Sequence, residues 1–311
     1  MSDPFSYSWN YAPERADLRR LYEKAKREQW ISDETLAWSV EVDPELEILP
    51  DMSIPIYGSD IWNRLTAHEK IRYRHEAYSW MLSQFLHGEQ GALLATSQIV
   101  ATVPFMDAKL YAATQAIDEA RHVEVYERYL REKVELLYPH NPHLKQLLDT
   151  ILADSRWDMK YLGMQILVEG LALAAFRFIH DLANEPLIRQ LTHHVMRDEA
   201  RHVAFGVLSL RDFYQKELNE AELREREEFV YQASILMRDR FVGTEVFEKM
   251  GLPVEECREL AEHSPAVMEY RKMLFSRIVP NVKRLGLLSP WMKEKFHQLD
   301  ILKFEDLPAD A

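Results

Sequence analysis

The sequence predicts an all-α protein, a bundle of long helices with further helices at both ends. Three observations carry that prediction. Glycine is scarce, at 9 of 311 residues. The Asn-Gly and Asp-Gly pairs that signal tight hairpins are absent, and period-two alternation is rare. Long segments instead place apolar residues three and four apart, with charges between them. The composition, 47% hydrophobic and 29% charged, is that of an ordinary globular chain. Lys and Arg number 38 against 51 Asp and Glu, a formal charge of −13, which argues against a reader of nucleic-acid phosphates. Cys257 is the single cysteine, which excludes an intrachain disulfide and any cysteine-built metal cluster. The start, MSDPFSYSWN, has no basic segment followed by an apolar run, so no secretory leader is expected. The most apolar stretch, Gln165 to Phe176, carries Glu169 in its middle and is short for a bilayer span. A cytoplasmic protein with neither a nucleic-acid nor a membrane partner is expected.

The elements follow in order. A first helix is expected over about Glu14 to Gln29. Residues 40–60 hold three prolines and read as an extended surface segment. A long helix runs from about Thr66 to Val103 and stops before Pro104, because proline disfavours helix at the residue before it. Asp107 is the expected cap of the next helix, which runs to about Tyr138. Pro139, Asn141 and Pro142 break the chain. Two more long helices cover about Asp154 to Leu182 and Glu185 to Leu218, with Asn184 and Pro186 at the turn between them. Three or four further helices are expected up to about Asp300, then a loose tail. The chain thus reads as one domain over 1–311. Its bundle core covers about 66–218, with an N-terminal extension (1–65) and C-terminal helices (219–311).

The four long helices form two hairpins, and the hairpins repeat. Asp118–Val123 and Asp198–Val203 are the same hexapeptide, DEARHV, 80 residues apart, and the same offset relates Glu89 to Glu169. Both halves read Glu, then Glu 30 residues later, then His after three more: Glu89, Glu119, His122 and Glu169, Glu199, His202.

That spacing is metal chemistry. Glu and His three apart share a helix face, with Cβ atoms roughly 5–6 Å apart, and can hold one ion between them. Glu89 and Glu119 are symmetric about Pro104, and Glu169 and Glu199 about Asn184. Each carboxylate pair therefore lies about 15 residues, or roughly 22 Å, from its hairpin tip. Packing the hairpins face to face gathers four Glu and two His, the donor set of dinuclear iron or manganese bundles. Two divalent ions would balance the four carboxylates, which otherwise cost several kcal/mol each on apolar helices such as QILVEGLALAAF. Asp118 and Asp198 are candidates to orient the histidines from the next shell outward, and Arg121 and Arg201 to pair with those aspartates. Gly88, Gly91 and Gly170, beside the first glutamate of each half, are read as room for the carboxylates to shift.

With these motifs the chain resembles the ferritin-like di-iron carboxylate superfamily. The likeness is to its oxygen-activating branch of monooxygenase hydroxylases and ribonucleotide reductase small subunits. LYEKAKREQW at Leu21–Trp30 is also similar to that branch's N-terminal helix. The resemblance implies a ferritin-like four-helix bundle and iron ligands Glu89, Glu119, His122, Glu169, Glu199 and His202, with Glu119 and Glu199 as bridges. It implies an iron pair (Fe/Fe, or Mn/Fe), O2 as cosubstrate and a small, largely apolar substrate. A ferredoxin or reductase would donate electrons, and a homodimer is one expected assembly. Tyr126, four residues after His122, takes the offset of the radical tyrosine and is either a redox residue or a pocket wall; Thr96 and Phe176 are expected as pocket lining. Several positions depart from relatives. Leu173 replaces the threonine common one turn after the third glutamate in monooxygenase hydroxylases. The last tyrosine is Tyr270, well before the end. Val195 stands where arylamine N-oxygenases add a third histidine, and His193 and His194 point off the ligand face. The expected activity is oxidation of an organic substrate with O2. A ferroxidase or iron/manganese binder, and a radical-generating subunit, are the alternatives.

Overall fold

A computed structural model describes residues 5–43 and 45–309. Residues 1–4 of the start, where no secretory leader was expected, residue 44 and the last two residues of the tail lie outside the described residues. Those described form helices, turns and loops with no strand.

α1 (Ala16–Arg27) is followed by an irregular stretch to residue 66, broken by short helical turns at Ser32–Thr35, Asp51–Ser53 and Asp60–Arg64. α2 spans Ala67–Thr102; Thr66 caps it, and Glu69 reaches back to the Thr66 backbone in a reciprocal capping box. α3 spans Met106–Tyr129. Asp107 does not cap it. Its carboxylate accepts from the Glu14 and Arg15 backbone N–H groups (2.9 Å each) and from Arg19, tying α1 onto the bundle. The helix also stops short of Tyr138. It widens into a π turn at Leu130–Val134 and ends at Glu135 in the left-handed conformation, φ 56°. Tyr138 instead donates its hydroxyl to Glu76 at 2.7 Å.

The prolines that read as a break begin a helix. In α4 (Pro142–Ala153) Pro142 occupies the first turn, where a missing N–H costs nothing, and Asn141 caps the His143 and Leu144 N–H groups. α5 runs over Trp157–Leu182, with a π segment at Leu162–Val168 just before Glu169. This helix is longer than its most apolar stretch and is apolar enough to cross a membrane, so length does not exclude a span. However, 83% of its most apolar window is buried inside the protein, which makes it the central helix of the core. α6 spans Pro186–Lys216, capped by Glu185 on the Leu187 and Ile188 N–H groups. Beyond it come six helices rather than three or four: α7 (Glu220–Asp239), α8 (Thr244–Met250), α9 (Val254–His263), α10 (Pro265–Leu274), α11 (Ile278–Arg284) and α12 (Pro290–Gln298). The tail is tied down in part, since Glu305 pairs with Lys293 at 2.7 Å.

The bundle is the expected pair of antiparallel hairpins, α2 with α3 and α5 with α6, with α1 lying across α3 and α6. α4 packs on α2 and α7 on the π segment of α5. Gly91 lets α4 approach: a Cβ there would lie 2.5 Å from Leu148 Cδ2. Gly170 has only ordinary clearance, 3.5 Å from Ile278, and Gly88 faces nothing within 4 Å. The room at Gly91 is therefore taken by helix packing rather than left for carboxylate movement.

Candidate metal centre

The hairpin geometry lifts six side chains into one layer of the bundle, where Glu89, Glu119, His122, Glu169, Glu199 and His202 are each at most 5% exposed. Their donor atoms form two overlapping groups. One ligand atom from each of Glu89, Glu119, His122 and Glu199 lies within 4.8 Å of the others, and so does one from each of Glu119, Glu169 and His202. The glutamates of the repeated hexapeptides sit between the groups. Glu119 places Oε2 3.5 Å from His122 Nδ1 and Oε1 3.1 Å from His202 Nδ1. Glu199 does the same in mirror image, at 3.1 Å and 3.4 Å. Glu89 lies only on the His122 side, at 3.3 Å.

Outside this layer the two halves are wired crosswise. His122 Nε2 meets Asp198 at 3.2 Å, and His202 Nε2 meets Asp118 at 3.3 Å. Each aspartate thus serves the histidine of the other hairpin, which fixes the tautomer and aims Nδ1 at the carboxylates. Arg121 bridges Asp118 and Asp198, and so does Arg201. The end of α1 closes this square. Trp30 Nε1 donates to Asp198 at 2.8 Å, Gln29 to Asp118 at 2.8 Å, and Glu28 accepts from Arg201 at 2.9 Å. The Arg121 guanidinium lies over the Trp30 ring at 4.6 Å.

Electrostatics mark the layer as unbalanced without cations. Burial, then the Glu199 charge, pushes Glu89 up to about 8, and burial with the Glu119 charge raises Glu169 well above the usual carboxylate range. Burial acts against the histidines' charge, yet the surrounding carboxylates hold both well above the usual 6.5. Burial opposes ionisation of Glu119 too, and the two histidines nonetheless hold it below its usual range. Buried polar atoms normally have partners. Here Glu119 Oε2, Glu169 Oε2, both Glu199 oxygens and His202 Nδ1 have no hydrogen-bond partner. Such orphans, all hard oxygen or imidazole donors, fit two divalent first-row ions.

Four features escaped the sequence reading. Gln115, one turn before Glu119, donates its amide to both Glu119 and Glu169 at 2.9 Å. It is the repeat-mate of Val195, which is fully buried, so the third-histidine position is apolar in one half and an amide in the other. Gln165, one turn before Glu169, is fully buried with both amide ends unpartnered. A Cβ on Gly206 would meet its Cβ at 2.7 Å, so glycine is required opposite it. Gln29 and Trp30 are the third and fourth. The i, i+4 spacing was a signal for Gln115 and Gln165; for Gln29 and Trp30 there was none beyond the likeness of Leu21–Trp30.

Tyr126 is fully buried, 5.7 Å from Phe176 and 6.2 Å from Phe85 between ring centroids, and its hydroxyl has no partner. Burial and the Glu89 charge raise it well above 10. Phe176 also packs on Phe85 at 4.9 Å, a three-ring wall on one side of the metal layer. Thr96, the repeat-mate of Phe176, is fully buried with an unpartnered hydroxyl. His193 is exposed, and His194 lies 5.2 Å from the Trp30 ring, both away from the ligand layer.

The profile of the family described as P-aminobenzoate N-oxygenase AurF matches residues 12–286. The chain belongs to this AurF family. Membership makes it an O2-dependent di-iron oxidoreductase. Among solved structures, the dimanganese(II) NrdF of Streptococcus sanguinis is 15% identical and covers 94% of this chain and 99% of its own, at a TM-score of 0.55. An R2-like ligand-binding oxidase reconstituted with a Mn/Fe cofactor is 19% identical, covering 84% and 93%, at 0.53. These likenesses establish the ferritin-like helical fold. Comparison with curated proteins finds no match. Within the AurF family the chain carries Val195 at the position read above as that of the third histidine.

Proposed function

We propose that Glu89, Glu119, His122 and Glu199 hold one iron and Glu119, Glu169, Glu199 and His202 the other. At this centre the chain would use O2 to oxidise a small, largely apolar organic substrate. The observation that carries the assignment is the double reach of Glu119 and Glu199, each facing both histidines from two different oxygens. Bound iron supplies the reduction of O2 and the two-electron oxidation of the substrate.

The chain's own residues do the rest. Asp198 and Asp118 hold the histidine Nε2 protons, so Nδ1 stays a lone-pair donor toward the ion. Gln115 keeps Glu169 and Glu119 together on one side. Phe85, Phe176 and Tyr126 exclude water from the other. Tyr126 is proposed as wall rather than redox residue, because its hydroxyl has no acceptor for the proton that oxidation would release. The AurF family is one of p-aminobenzoate N-oxygenases, and N-oxygenation of an aromatic amine is the reaction to try first. A ferredoxin or reductase is the proposed electron donor, the cytoplasm the proposed location, and 1–311 the proposed functional domain. Packing of α1 on the bundle supports that last reading.

The test is product analysis with labelled O2 on the iron-loaded chain, alongside Glu119→Ala. Label in the organic product, and iron falling from two per chain to below one in the variant, are expected. Two irons retained by Glu119→Ala would overturn the ligand assignment. Fe(II) oxidation with no labelled product would turn the reading to a ferroxidase.

A further inference from the structure

A second compartment lies away from the metals. A cavity of about 530 Å³ opens between α2, α5, α10 and the loop that carries Ile48. That volume falls within the roughly 300–1,000 Å³ of small-molecule sites. Its walls are apolar, among them Ile48, Met81, Phe178, Phe241, Val267 and Met273. Tyr78 on its inner wall stands 11 residues before Glu89 on the same helix, about 16 Å along the axis. Between the two lie Phe85, Phe176 and Tyr126, at most 4% exposed and in ring contact. The cavity is therefore not the reaction chamber.

The charged side chains that line it, and most of the polar ones, are already engaged. Arg74 makes two hydrogen bonds to Asp51, at 2.6 and 2.8 Å. His75 Nε2 lies 2.7 Å from the Val134 carbonyl. Trp80 Nε1 donates to Glu245 at 3.1 Å, and Glu269 on the rim pairs with Lys272 at 3.2 Å. Tyr78 shares a hydrogen bond with Tyr129, which donates to Glu185. Arg240, whose Nε has no partner, lies over the Phe241 ring at 4.9 Å but does not line the cavity; among the lining residues a charged ligand would meet no free counter-charge and would lose its hydration without return. Tyr73 and Tyr270, whose hydroxyls make no hydrogen bond among the described residues, also line the cavity.

We propose that this cavity is a binding site for an uncharged, largely apolar small molecule, separate from the metal centre. The probes are a matched pair on the iron-loaded, full-length chain: neutral N-phenyl-1-naphthylamine and its sulfonated analogue, 8-anilinonaphthalene-1-sulfonate. Fluorescence titration is expected to show one neutral probe per chain, with the sulfonate bound at least tenfold more weakly. Ala77→Trp, which fills the cavity from α2, should weaken the neutral probe at least tenfold with iron content and helicity unchanged. Val267→Trp fills it from the opposite wall if the first variant does not fold. Equal affinity for both probes would overturn the proposal, as would unchanged affinity in a folded, cavity-filled variant. Loss of probe binding on dimerisation would assign the face to a second copy of the chain. Iron content and labelled product are read separately, so the metal-centre assignment stands or falls without the probe.

Discussion

At the residue scale the layer around the metals is a set of groups whose neighbours matter more than their own chemistry. Asp198 holds the His122 ring at 3.2 Å, and its charge is shared with Arg121, Arg201 and Trp30. Asp198→Asn should weaken iron retention against a chelator by about 10- to 100-fold with helicity unchanged. Tyr126 makes the opposite case. Its buried hydroxyl has no partner, so Tyr126→Phe removes a desolvated group without breaking a bond. Chemical denaturation should find the variant as stable as the parent or more so, by up to about 1 kcal/mol. Turnover within about twofold and no tyrosyl signal after O2 exposure would agree with the wall; loss of turnover would restore the redox reading. The six candidate ligands, which the structure brings into one layer, were legible because the 80-residue repeat names the pattern twice. Gln115 was less so, because a neutral amide has no charge to flag it and its repeat-mate is Val195. Trp30 was legible only by likeness, since its contact spans 168 residues of sequence.

At the element scale the long helices were readable and their ends less so. Proline carries two meanings. Pro104 ends a helix, whereas Pro142, Pro186, Pro265 and Pro290 sit in the first turn of one. Reading Pro139 and Pro142 as a break hid α4. The π segments at Leu130–Val134 and Leu162–Val168 were not foreseen, because an extra residue in a turn leaves no mark on an apolar stretch. Glycine also carries two meanings, and a pair of substitutions on α2 separates them. Gly91→Ala drives a Cβ to 2.5 Å from Leu148, whereas Gly88→Ala meets nothing within 4 Å. The first should destabilise by about 1–3 kcal/mol through overpacking, and the second should stabilise by up to about 1 kcal/mol through helix propensity. Thermal or denaturant melts of the two variants decide this; equal shifts would show that α4 does not press on Gly91.

At the scale of the whole molecule, fold stability and metal loading are coupled through protons. In the metal-free chain Glu89 titrates near 8 against 4.5 when unfolded, and Glu169 is raised as well. The folded state therefore holds protons that the unfolded state has released. That contribution is fully present below about pH 4.5 and is lost as pH rises through about 8. The raised histidines act in the same direction, with loss beginning above their unfolded value near 6.5. Melting temperature in chelator should fall from about pH 5.5 to pH 8, while the iron-loaded chain falls much less, because the ions replace the protons. Identical slopes with and without iron would show that the buried carboxylates are neutralised some other way.

The crossed pairing of aspartate and histidine reaches further than orientation. His122 depends on Asp198 and His202 on Asp118, so neither hairpin owns a finished site. Each half holds the other's key. On the proposed ligand assignment iron would be a clasp between two halves of one chain, and its release would be expected to report their parting.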